Sequence, residues 1–86
     1  MTGVSKRLQR RGDRDFGESA PDVCDLLLRS SDSERVQAAI VFAAGRDFDE
    51  LRRQAELAAV DWRDVLINGQ LAVAGWEERL QNELGR

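Results

Sequence analysis

Histidine and tyrosine are absent from this chain, and cysteine and proline each occur once. Without histidine there is no imidazole general base and no nitrogen ligand of the commonest kind; without tyrosine there is no phenolic acid. Catalysis would have to rest on carboxylates, arginines, one thiol or serines without an imidazole partner. None of these stands in a recognisable catalytic spacing, so the expectation is no enzyme, no cofactor and no small-molecule substrate. The single cysteine, Cys24, excludes an internal disulfide framework of the sort that small secreted domains usually need, and points to a reducing, cytoplasmic setting. Long apolar runs are missing as well. Nothing approaches the ~20 residues of a membrane span, and no hydrophobic stretch follows the first basic residues as it would in a secretory signal. No membrane partner is expected. The glycines, at positions 3, 12, 17, 45, 69, 75 and 85, are too scattered to cradle a phosphate. Sustained period-2 alternation, the mark of a half-buried strand, is absent too.

What the 86 residues do hold is helical periodicity and enough leucine, valine and isoleucine for one modest core. Pro21 suits the first turn of a helix over 20–30, with Asp22 and Asp25 toward its N-terminus and Arg29 toward its end. Val36, Ala39, Ile40 and Ala43 follow the i, i+3, i+4, i+7 pattern of a second helix, 32–44. Ser31 and Glu34 have the spacing of a capping box, and Gly45 stands where a left-handed C-terminal cap belongs. Asp47 with Glu50 starts a third helix, 48–59, carrying Phe48, Leu51, Ala55 and Ala58 inward. Asp61 caps a short helix from Trp62 to Ile67, ended by Asn68-Gly69, and a last helix over 75–84 places Trp76, Leu80 and Leu84 on one side. The expected fold is all-α: four to five short helices forming one domain over 19–86, behind a flexible basic arm over 1–18.

That arm carries the only concentration of positive charge. Lys6, Arg7, Arg10, Arg11 and Arg14 against Asp13 give residues 1–14 a net charge of +4, whereas residues 15–86 sum to −7. An acidic body repels nucleic acid while such an arm attracts phosphates without regard to sequence. The plainer reading is a solubilising tail, or one that folds on an acidic protein, because no aromatic residue is interleaved for base stacking.

Residues 53–67 invite comparison with a helix-turn-helix, since Ala55, Ala58, Val60 and Val65 have suitable spacing. The second helix would then face outward with Asp61, Trp62, Arg63, Leu66 and Ile67, a poor set for reading bases and phosphates. Cys24 reads as a small core residue rather than a nucleophile. Asp47, Asp49 and Glu50 read as helix-start residues, since they lack the calcium-loop pattern. Trp62 and Trp76 have two readings, core anchors or a partner surface. The surplus of large apolar residues over 60–76 favours Trp62, Arg63, Leu66 and Trp76 as a protein-binding patch, with a homodimer as one form of it. Binding of nucleic acid through Lys6, Arg7, Arg10, Arg11 and Arg14 is the alternative.

The segments Glu34-Arg35-Val36-Gln37-Ala38-Ala39-Ile40, Asp49 to Ala55, and Asp61-Trp62-Arg63-Asp64-Val65-Leu66 resemble a group of short bacterial all-helical proteins. The likeness covers 33–74. It implies an all-α bacterial cytosolic protein, and no activity or functional residue comes with it.

Overall fold

The strongest periodic segment, Val36 to Ala43, becomes the helix that the others surround. In the computed structural model, which describes residues 3–85, the chain forms α1 (Lys6–Phe16), α2 (Ala20–Ser30), α3 (Glu34–Ala44), α4 (Phe48–Asn68) and α5 (Trp76–Leu84). A 3-10 turn, Gly17–Ser19, links α1 to α2, and no strand occurs among the described residues. Residues 1 and 2 of the expected arm and residue 86 of the expected domain lie outside those described.

In α3 the buried residues are Val36, Gln37, Ala38, Ala39, Ile40, Val41 and Ala44. A helix that hides more than one stripe must have neighbours on several sides. Its start corrects the capping-box expectation. Ser33, not Ser31, is the N-cap and accepts from the Val36 amide at 3.4 Å, while the Ser31 hydroxyl accepts from the Ser33 amide at 3.0 Å. Glu34 does not turn back on its own helix, because α1 offers it charge-assisted partners. Gly45 closes α3 at φ 58°, the left-handed conformation that costs glycine nothing.

Asp47 caps α4 as its spacing predicts, accepting from the amides of Asp49 (2.9 Å) and Glu50 (3.3 Å). The two helices expected over 48–59 and 62–67 are the two arms of α4, separated by one residue. Asp61 leaves helical geometry (φ −149°, ψ 88°), and its carboxylate accepts from the Arg63 amide at 3.1 Å. The bend is sharp. Asn68 donates to the Gln54 side chain at 3.2 Å, although fourteen residues of straight helix would separate the pair by about 21 Å.

The chain leaving α4 presses on α3 at Gly69. A Cβ there would fall 2.6 Å from the Ala39 Cα and carbonyl oxygen and 2.8 Å from its Cβ, although Gly69 has an ordinary φ of −86°. Glycine is required at this point for space rather than for conformation.

The flexible arm expected over 1–18 is corrected by α1. Ser5 caps it by accepting from the Leu8 amide at 3.3 Å. Val4, Leu8 and Gly12 are buried and Phe16 packs on the core, meeting Phe48 edge-to-face with centroids 6.4 Å apart. The spacing of 4, 8, 12 and 16 is a single narrow stripe, enough to dock a polar helix.

Gly69→Ala should lower the unfolding free energy by about 1–3 kcal/mol through overpacking against α3. Gly45→Ala should cost about 1–2 kcal/mol by the left-handed penalty alone. Urea denaturation of both variants measures the two losses.

Candidate functional site

Trp62 opens the second arm of α4 and is the largest side chain left substantially in water, at 49% exposure. The bend at Asp61 turns it toward the start of α3. There Trp62, Leu66 and Ala58 of α4, Val36 and Arg35 of α3, and Ser30 at the end of α2 enclose an open groove of about 300 Å³. A second depression of about 220 Å³ lies between α2 and α4 over Leu26, Ala55 and Ala59, and shares Ser30 with the first. The two together form a trough along α4, which exists because alanines stand at 55, 58 and 59 where larger residues would fill it.

Of the four residues expected to form a protein-binding patch, the structure keeps Trp62 and Arg63 at the surface, with the Arg63 guanidinium 5.3 Å above the Trp62 ring. Leu66 departs from its expected outward position. It is 4% exposed and belongs to the core, contributing only to the floor of the groove. Trp76 is half-buried against the core, and Arg35 lies over its ring at 4.4 Å. Arg35 is the residue that sequence reasoning misses. Its Nε and Nη2 donate to the Leu71 carbonyl at 2.9 and 2.7 Å while it also lines the Trp62 groove, so one guanidinium connects the surroundings of both tryptophans. No periodicity marks it, because its partner carbonyl lies 36 residues away. The apolar surplus expected over 60–76 is present at the surface, where Val60, Ile67 and Val73 are also exposed.

The five cations of the N-terminal segment are divided by the fold. Arg7 donates to both oxygens of Glu34 (2.8 and 2.6 Å) and to the Gly85 carbonyl (3.0 Å). Arg11 holds Asp15 at 2.7 Å and reaches the Glu83 carboxylate at 3.2 Å and its carbonyl at 3.3 Å. Arg14 joins Asp15 at 3.4 Å. Lys6 and Arg10 are exposed and form no ion pair among the described residues. Asp15, whose side chain is 2% exposed, also has Arg46 at 3.6 Å. The positive segment is thus largely neutralised inside the fold, and Arg7 and Arg11 sit where cations suit the C-terminal dipole of α5.

Arg7 holds the Glu34 carboxyl below its ordinary value by hydrogen bonding; burial opposes this, and the Ser5 hydroxyl, donating at 2.6 Å, adds to it. Burial pushes the Cys24 thiol up, and the negative charge of Asp13 adds to the effect. Cys24 is half-buried against the core, an environment that opposes the thiolate a nucleophile requires. Among the described residues no group of three or more Cys, Asp or Glu could hold a metal ion, and no helix is long and apolar enough to cross a membrane.

Comparison with protein-family models, with curated proteins and with solved structures finds no match to this chain. The functional argument accordingly rests on geometry.

Glu34→Gln should cost about 1 kcal/mol at neutral pH, the value of a partly buried, two-pronged arginine pair. Because the folded-state pKa is depressed, this contribution is present above the ordinary value of 4.5 and is lost as pH falls through the lowered one. Wild type and variant should therefore converge in acid, as urea midpoints measured from pH 7 to pH 3 would reveal. Asp15→Ala should cost roughly 2–3 kcal/mol, since it removes the shared partner of three arginines, and thermal unfolding would register the loss.

Proposed function

We propose that this chain is a non-catalytic, cytoplasmic protein-interaction module that receives its partner in the trough beside Trp62. One observation carries the reading: a tryptophan half in water stands as the wall of a groove floored by Val36, Ala58 and Leu66. An indole held by a short, core-anchored helical arm loses little freedom on binding, and tryptophan dominates the energetics of many interfaces. Val60 and Ile67 are also exposed on the same helix, although they line neither depression.

The alternative, attachment to nucleic acid through the N-terminal cations, draws its support from Lys6, Arg10 and the outward-facing Arg14. Arg7 and Arg11 are engaged by carboxylates, which leaves few cations for phosphates and a correspondingly small electrostatic gain. Absence of binding to duplex DNA at low salt would remove this reading.

The interaction reading is tested by selecting displayed helical peptides on the wild-type chain and counter-selecting on Trp62→Ala. Ligands that need Trp62 should emerge, while the variant keeps its helicity and loses less than about 1 kcal/mol of stability, as expected for a partly exposed site. Recovery of no ligand, or only of ligands indifferent to Trp62, overturns the reading. Sedimentation equilibrium on the same samples separates self-pairing from capture of a different chain. Trp76→Ala should instead destabilise the fold by about 1–2 kcal/mol, since it strips the ring from beneath Arg35.

A further inference from the structure

We infer that the partner presents an acidic amphipathic helix to the trough, an inference that rests on the interaction reading above. The trough has the shape of a seat for a helix. One depression is lined by Ala55 and Ala59 and the other by Ala58, Trp62 and Leu66, and they meet at Ser30. An incoming helix with large apolar side chains on one face would place one in each depression and pack against α2 and α4. Each depression, at about 300 and 220 Å³, is open and at or below the small end of ordinary small-molecule sites, which suits side chains better than a free ligand. No strand edge among the described residues is present to receive an extended peptide.

Charge selects the class of helix. Although the whole chain has a net charge of −3, the charged residues lining the trough are Arg29, Arg35 and Arg52 against the single carboxylate of Glu56. Arg63 stacks on Trp62 but lines neither depression, and Asp61 and Asp64 flank it in the chain. Arg29 and Arg52 are joined to Asp25 (2.9 Å) and Asp49 (3.2 Å) on their own helices, exposed pairs of the kind that contribute little and exchange readily. Arg35 has no carboxylate among the described residues, only the Leu71 carbonyl and the Trp76 ring. A helix with glutamates beside its apolar stripe would complement these cations; one with lysines there would meet them as like charges.

The test uses two synthetic helices of about eighteen residues with the same leucine stripe, one flanked by glutamates and one by lysines. Each is titrated into the full chain and followed by tryptophan fluorescence and amide chemical shifts. The glutamate form should bind at least about tenfold more tightly and shift residues of the trough. Ala59→Trp, which fills the trough from an exposed position, should remove binding and leave circular dichroism unchanged; Arg29→Glu with Arg52→Glu should reverse the preference. Equal or tighter binding of the lysine form through the trough overturns the charge assignment and leaves the interaction reading standing. Shifts confined to another surface overturn the placement. Absence of binding by both forms at about 1 mM overturns the inference, and the peptide selection then decides independently whether the interaction reading survives. Self-association that is lost in Ala59→Trp overturns it in favour of a second copy as the occupant.

Discussion

The close approach of Gly69 to Ala39 is the constraint from which the rest of this structure follows. α3 hides residues around most of its circumference, and the chain leaving α4 must pass within ordinary contact distance of its backbone to complete that enclosure. α4 therefore cannot run straight. It bends at Asp61, where a carboxylate accepting from the Arg63 amide offsets the broken ladder, and it is braced across the bend by Asn68 and Gln54. The same bend points Trp62 at the start of α3, beyond the alanines at 55, 58 and 59 that line the two depressions. The trough is thus a by-product of how α4 wraps its neighbour, and its floor is core.

Electrostatics in the molecule serve assembly more than attraction at a distance. The N-terminal segment looks in sequence like a free cationic arm, yet Arg7 and Arg11 are clamps that tie α1 to the beginning of α3 and to the last turn of α5. The unpaired character suggested by a +4 segment ahead of a −7 body is reduced to Lys6 and Arg10 once Glu34, Asp15 and Glu83 are brought to Arg7, Arg11 and Arg14. What remains outwardly positive is dispersed: Lys6, Arg10 and Arg14 along α1, and the guanidinium groups around the trough.

Helices α2 to α5 were legible because each carries its own signals, namely Pro21, the Val36–Ala43 period, the Asp47 cap, the Asp61 break and the Trp76–Leu80–Leu84 stripe. These are local features, readable within a turn or two. The failures share one cause, which is that the deciding partner is distant in sequence. Val4, Leu8 and Phe16 have helical spacing, but the stripe is one residue wide and becomes persuasive only when Phe48 is known to lie against Phe16. Ser31 and Glu34 have the spacing of a box, and Arg7, 27 residues earlier, takes the glutamate away. Leu66 and Trp62 sit on one short helix with similar apolar character, and only the course of α3 decides which is buried. For Trp62 the sequence left core and surface both open, and Arg35 gave no signal at all.

The clamp on α1 also has a bearing on the order of events in folding. Contacts between α3 and α4 join neighbouring segments, whereas the bond from Arg7 to Gly85 spans 78 residues. Loop closure must be offset before a contact of that reach gives any return, so the bond from Arg7 to the end of α5 is expected to close after α3 has paired with α4. Loss of the clamp then accelerates opening of the native state and leaves its rate of formation nearly unchanged. On that order, Arg7 and Arg11 would set how long the folded molecule persists.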